Sequence, residues 1–351
     1  MAEIRPLERQ DLPAVVALIR ANIGWRRDAA VLERTLVDHP WAPARLPTLV
    51  AVDDSGEVVG SIGAQARRLL FDGNELRGLS VSHLVVAPDR RAGAAGAMLV
   101  RSLLAGEQDL TWTDSGTEAV VRIWRTFGAH VDHTRAGNWM LVLRPAAWLT
   151  KIAKGGFRRG EDRRRALPVG ALPLQAAGRR LIPQAFPEPA PSVMGADAAP
   201  AEIADLLVAM TTKHVRLRVD YDAKYLSWLF AHLGSLGAPV VHRLVRRAGA
   251  PIGWYAYIRY AEVSRLIHLA AFTREVDAVF GEFVAHARAE GASLLAGRVE
   301  PNLDEPLRKR FAVVELAQRP LVHSRDPELR AALASSTSLI TEMDLIDSEW
   351  W

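Results

Sequence analysis

The sequence predicts an α/β protein made of two tandem copies of one mixed-sheet domain. Three observations carry this. The chain of 351 residues is 49% apolar and 24% charged, a strand–helix pattern occurs twice, and a basic, proline-containing stretch separates the two occurrences. This length suits two ordinary domains, and the apolar fraction is that of a globular chain with sizeable cores.

Each copy is expected to begin with a strand, a turn and a helix. EIRPLERQDLPAVVALIRANI places Leu12, Val15, Val16, Leu18 and Ile19 largely on one helical face, and SVMGADAAPAEIADLLVAM does so with Ile203, Leu206 and Leu207. A hairpin follows in each copy. PTLVAVDDSGEVVGSIGAQARRLL turns at DDSG, and PVVHRLVRRAGAPIGWYAYIRY turns at RRAGA. Next come a strand (LSVSHLVVA; SRLIHLAAF), a helix, a strand (LTWTD; SLLAGRV), a helix and a final strand pair. Such an order makes a sheet antiparallel first and parallel later. Where its character changes, neighbouring strands can part and admit an extended ligand.

Composition bounds the rest. Residues 151–180 hold nine Lys/Arg against Glu161 and Asp162, a net of +7, which leaves −3 for the remainder of a chain whose total is +4. The basicity therefore belongs to one segment, which LIPQAFPEPAPS continues with prolines that block helix interiors. The expected division is a domain at 1–146, a linker at 147–190 and a domain at 191–351. There is no long apolar run to span a membrane, and the charged N-terminus does not fit a signal peptide. No cysteine is present, which excludes disulfides, thiolate catalysis and Cys-ligated zinc. A cytoplasmic protein is expected.

One stretch raises a functional question: VVAPDRRAGAAGAMLV, residues 85–100. Small residues and two arginines stand between a strand and a helix. Unpaired N–H groups at a helix N-terminus, with the helix dipole behind them, attract a pyrophosphate, and small side chains let it approach. This segment, with the strand order, resembles the GNAT (GCN5-related N-acetyltransferase) superfamily over about residues 3–145. The superfamily's cofactor loop is Arg/Gln-x-x-Gly-x-Gly/Ala. Here Arg91 fills its first position and Gly96 its last, while Ala94 departs from the usual middle glycine and has Gly93 beside it. The resemblance implies acetyl-CoA, or another acyl-CoA, as co-substrate, held by Arg90, Arg91, Ala92, Gly93, Ala94, Ala95 and Gly96. It also implies that the backbone of Leu84, Val85 and Val86 lies beside the pantetheine arm and aims one amide at the thioester carbonyl.

Candidate acid and base residues flank this strand. His83 has the ring chemistry of a base at neutral pH, and strand alternation predicts that it and Ser82 face opposite sides. Asp114 and Ser115 in TWTDSGTE sit where a strand ends and a helix begins; helix capping competes with catalysis there. Family members often carry a tyrosine as proton donor four residues before a Gly-Phe pair, and Trp124 occupies that position in IWRTFGAHV. An indole cannot serve as that acid, so a different acid, or none, is implied.

The second copy lacks the loop. In AAFTREVDAVFGEF, Glu275 and Asp277 would repel phosphate, so this half resembles a degenerate GNAT repeat, with Trp228, Trp254, Tyr255 and Tyr257 expected in a core or an interface. HVDH at 130–133 reads as a strand with its histidines on opposite faces, and no metal is expected. MDLIDSEWW reads as a last strand and a tail docked on its own domain. The linker reads as a solvated connector, next as a peripheral contact with anionic lipid; nucleic acid ranks last as a partner. Taken together, the expectation is an acyl-CoA-dependent N-acyltransferase acting on a primary amine of a small molecule by direct attack in a ternary complex. The alternatives are a CoA-binding sensor or scaffold without turnover, and an aminoacyl-tRNA-dependent transferase.

Overall fold

A computed structural model of the chain describes residues 2–23, 29–41, 47–90, 93–144, 192–210, 215–235, 237, 240–260, 262–316 and 318–344. These form two compact units. The first comprises Met1–Ala136, Val215–Tyr221 and Gln318–Trp351; the second comprises Gly137–His214 and Asp222–Ala317.

The first unit runs β1 (Glu3–Pro6), α1 (Leu12–Ile23), α2 (Ala29–Leu36), β2 (Leu49–Val52), β3 (Val58–Phe71), β4 (Asn74–Val86), α3 (Ala95–Leu104), β5 (Leu110–Thr113), α4 (Glu118–Thr126) and β6 (His130–Val131). The β3–β4 hairpin turns on Asp72 and Gly73, whose φ of 50° and 84° are the pair that a two-residue turn matched to strand twist requires. One face of the sheet packs on α3 and α4 through Leu79, Val81, Leu99, Leu103, Val121 and Trp124. Val50 and Val85 meet Val15, Ile19 and Leu32 of α1 and α2 instead.

The second unit repeats this plan with β7 (Gly137–Val142), β8 (Val193–Asp197), α5 (Pro200–Met210), α6 (Ala223–Gly234), β10 (Val240–Arg247), β11 (Ala250–Tyr260), β12 (Val263–Ala271), α7 (Val276–Ala289), β13 (Leu294–Arg298), α8 (Asp304–Lys309) and β14 (Val313–Leu316). Its core includes Tyr255, Tyr257, Phe280, Phe283 and Trp139. Trp254 is fully buried as well and stacks on His268 at 4.3 Å. Trp228, half-buried on α6, stacks on His232.

The remaining elements belong to the first unit: β9 (Leu217–Val219), β15 (Leu321–His323), α9 (Pro327–Leu333) and β16 (Ser338–Leu339). The sheets therefore do not follow the division at residue 146. In strand order they read β1-β2-β3-β4-β5-β15-β6 and β14-β7-β13-β12-β11-β10-β8. β15 inserts antiparallel between β5 and β6, and β7 inserts antiparallel between β13 and β14. Each half of the sequence lends one strand to the other half's sheet. Local periodicity cannot reveal this, because it identifies a strand without identifying its neighbour.

Two smaller expectations are also corrected. HVDH is not a continuous strand: β6 ends at Val131, and Asp132 caps a single 3₁₀ turn through its bond from the Thr134 amide at 2.9 Å. At the start of MDLIDSEWW, Met343 and Asp344 lie in a 3₁₀ turn (Glu342–Asp344) of the first unit rather than in a strand, and the expected tail from Leu345 onward lies outside the described residues. The expected linker lies outside the described residues. Among the described residues no helix is long and apolar enough to cross a membrane.

Candidate functional site

The site predicted from the loop rests on how β4 ends. β4 pairs in parallel with β5 at Gly78–Leu110, Leu79–Thr111 and Ser80–Trp112, and at no later position. On its other side it stays paired with β3 as far as Gly60–Val86. Val81–Val86 thus continues past the end of the β4–β5 ladder, paired on its β3 side alone.

A β-bulge sharpens this. Ser82 opposes Gly63 and Val85 opposes Ser61, so three residue steps on β4 match two on β3. The extra residue lies at His83–Leu84, and His83 takes a φ of 49°, a region few non-glycine residues enter. Bulges re-aim side chains and occur beside active sites. Here the bulge cancels the expected alternation: His83 Nδ1 lies 2.8 Å from Ser82 Oγ, so the two side chains meet. Both are buried.

Backbone polarity follows from one bond. The Ala87 N–H donates to the Val59 carbonyl at 2.8 Å. Amides alternate along a strand, so the Val86 N–H points away from β3, toward the side that carries no ladder with β5 at this level. Leu84 and Val86 are half-buried, while Val85 packs into the core with α1 and α2.

α3 starts against this strand end. Its first intrahelical bond runs from the Met98 N–H to the Ala94 carbonyl at 2.9 Å. Among the described residues, the N–H groups of Ala94, Ala95, Gly96 and Ala97 find no acceptor. Ala94 has φ −84° and ψ −5° and no side-chain cap; its helical backbone keeps the N–H in the set despite the departure from glycine. A Cβ on Gly96 would stand 3.4 Å from Val86 Cγ2, so the small residue brings the helix end close to β4. Gly93 donates its N–H to the Arg90 carbonyl at 3.0 Å. The Arg90 guanidinium lies 3.3 Å from Asp53 and 3.2 Å from Asp89, so its charge is shared with two carboxylates. Arg91 and Ala92 lie outside the described residues.

On the far lip, Asp114 and Ser115 follow β5 and are half-buried. Capping of α4 falls to Thr117, whose Oγ1 accepts from the Val120 amide at 3.4 Å, which leaves Asp114 and Ser115 outside the cap. Trp124 is buried in the core between sheet and helices.

A polar cluster missed from the sequence lies on β3 near the point of divergence. Arg67, buried, donates to Gln65 Oε1 at 2.7 Å and to the Asp344 carbonyl at 3.1 Å, and meets His39 Nε2 at 3.0 Å. Asp344 is fully buried, accepts from the Tyr221 hydroxyl, and accepts from the Thr341 amide at 2.7 Å. Burial raises its carboxyl above the ordinary range, against the lowering bonds from Thr341 and Tyr221 and the charge of Arg67. Gln65 and Arg67 oppose Ser80 and Gly78, within the stretch of β4 that also pairs with β5. Partners 277 residues apart leave no short-range signal; only the alternation of polar residues in AQARR hinted that this strand carries a polar face.

The corresponding region of the second unit differs. α7 carries Asp277 in its first turn, and Glu275 pairs with Arg247 at 2.6 Å. His268 on β12 is wholly buried, which drives its imidazole down to about 3.

No protein-family profile and no curated protein matches this chain. Solved structures do. A GCN5-related N-acetyltransferase from Anabaena variabilis shares 10% identity over 93% of this chain and 73% of its own, with a TM-score of 0.61. A conserved protein of Enterococcus faecalis V583, described as a probable N-acyltransferase, shares 10% over 92% and 72%, at 0.60. Eis1 from Mycobacterium abscessus shares 17% over 95% and 76%, at 0.54. At these identities the likeness is one of fold.

Proposed function

We propose, from the GCN5-related N-acetyltransferase fold that this chain shares, that the first unit is an acyl-CoA-dependent N-acyltransferase. The observation that carries this is the end of β4–β5 pairing at Ser80, beside a helix end whose amides meet no acceptor among the described residues. The pyrophosphate of an acyl-CoA would lie on the N–H groups of Ala94–Ala97, where small side chains and the helix dipole favour it. The pantetheine arm would run along Leu84–Val86. A primary amine then attacks the thioester carbonyl: the C–N bond forms, the C–S bond breaks, and the CoA thiolate leaves. An amide of the β4 edge is the oxyanion donor. His83, its ring oriented by Ser82, takes the proton that the amine releases, and Asp114 and Ser115 face the acceptor across the divide. A thiol of ordinary pKa, about 8.5, leaves without the acid that Trp124 cannot supply. Acetyl is the acyl group proposed and a small-molecule amine the acceptor.

The burial of Trp124 in the core favours one second reading, a CoA-binding sensor without turnover. Thermal shift with acetyl-CoA and thiol release over a panel of amines separate the two. Ala94 is exposed at the helix start, so Ala94→Glu sharpens the binding test. A carboxylate there raises the free protein's stability by about 0.3–1 kcal/mol through the dipole and repels the pyrophosphate. A higher Tm with a lost acetyl-CoA shift is the expected result. An unchanged acetyl-CoA shift removes the proposed phosphate site.

A further inference from the structure

The residue that leads into Asp114 and Ser115 is held in its sheet by the strand that the second half of the sequence lends. Pairing of β4 with β5 ends at Ser80–Trp112, one residue short of the end of β5. On the other side of β5, β15 sets His323 against Thr111, Val322 against Trp112 and Leu321 against Thr113. Ser324 Oγ adds a bond to the Asp109 carbonyl at 2.7 Å. β15 thus grips β5 from its approach to its last residue. Among the described residues, Thr113 has β15 as its one sheet neighbour.

Leu321 does more than pair. It is fully buried and packs in the cluster that holds Val121 and Trp124 of α4. Gly116, which carries the chain from Ser115 toward α4, lies against it. A Cβ on Gly116 would stand 3.2 Å from Leu321 Cδ1 and 3.2 Å from Val120 Cγ1, close enough that a neighbour must give by a few tenths of an ångström. The φ of Gly116 lies outside the left-handed region. The glycine therefore serves a close approach rather than a turn.

We propose that Gly116 and Leu321 are positioning residues for the amine acceptor: the bare glycine seated on the lent strand fixes where Asp114 and Ser115 stand, so the second half of the sequence governs acceptor use in the first unit. This rests on the acyltransferase reading of that site. A methyl group at 116 lifts the segment off Leu321, and a shorter side chain at 321 withdraws its support. Either change moves Asp114 and Ser115 and leaves α3 and the end of β4, the proposed acyl-CoA groups, untouched.

The test uses the full chain, acetyl-CoA and an amine that the unaltered protein acylates. Gly116→Ala raises the KM for the amine by roughly tenfold, less than the ~100-fold that a displacement of about 1 Å can cost, and leaves the acetyl-CoA dissociation constant unchanged. Leu321→Val raises the amine KM as well and decides the matter if the alanine variant does not fold. The two changes together conserve volume and bring the amine KM back toward its unaltered value. A smaller folded fraction lowers kcat alone, so KM separates positioning from stability. An amine KM that neither single variant moves, or that the double variant does not bring back, overturns the inference, and so does an equal loss of acetyl-CoA affinity. Amide chemical shifts of Thr113, Asp114 and Ser115 follow the same pattern, moving in each single variant and returning in the double. If the unaltered protein acylates no amine, the acyltransferase reading falls, and these shifts decide whether the lent strand sets the segment.

Discussion

Lowering the pH from 7 to 5 destabilises the second unit through His268. The ring is wholly buried against Trp254, and its folded pKa is about 3, whereas an unfolded chain titrates it near 6.5. The unfolded state therefore binds the proton that the folded state refuses. Stability from this group is fully present above pH 6.5 and is lost as pH falls toward the folded value. Between pH 7 and pH 5 the loss is roughly 2 kcal/mol, and it grows further as pH falls toward the folded value. That figure barely depends on the folded value, since the folded imidazole is neutral at pH 5 for any value near 3. Hydrogen exchange of the β11 and β12 amides, corrected for intrinsic rates, reads the stability of this unit by itself. His268→Phe keeps an aromatic ring beside Trp254 and removes the titration, so its loss between the two pH values is smaller by about 2 kcal/mol. Equal losses in the two proteins refute the reasoning.

Further predictions follow from single contacts. Asp344 has a folded pKa raised by burial, so its contribution is greatest below the unfolded carboxylate value and is lost as pH rises through the folded one; Asp344→Asn flattens that part of the urea-unfolding profile. Leu321→Ala, at a fully buried position on the inserted strand β15, costs the first unit about 2–5 kcal/mol, measured by loss of amide protection in β5. Gly96→Ala is tolerated, because its Cβ would meet Val86 and Ile123 at 3.4 and 3.9 Å, and it gains up to about 1 kcal/mol in helix propensity; a loss of Tm refutes that packing. A protease site inserted between Gly160 and Glu161 yields two fragments that remain together on gel filtration after cleavage, since β7 and β15 each sit in the sheet formed mainly by the other fragment.

Much of the fold was legible in the sequence, and the reasons are local. The helical stripe of Leu12, Val15, Val16 and Ile19 appears as the buried face of α1, and the turns at DDSG and RRAGA appear as turns. The loop residues of 93–96 were legible because a helix start next to a strand is a short-range pattern. The opposite facing expected of His83 and Ser82 was not met: the bulge that joins them depends on register with β3, which alternation alone does not supply. The Arg67–Asp344 cluster and the exchanged strands were not legible, since each joins residues far apart in the chain. The pairing of Asp277 with Arg310, 33 residues on, was likewise not legible, because a charge in a helix's first turn does not announce its distant partner.

The lending of β7 and β15 bears on the history that such a chain can have. A tandem duplication normally leaves two modules, either of which can later be discarded or shuffled into another gene. Here excision of either copy would take away a rung that the survivor needs, so the pair is inherited as a single indivisible whole. The strand that each copy holds for the other is by itself a reason for both to be retained.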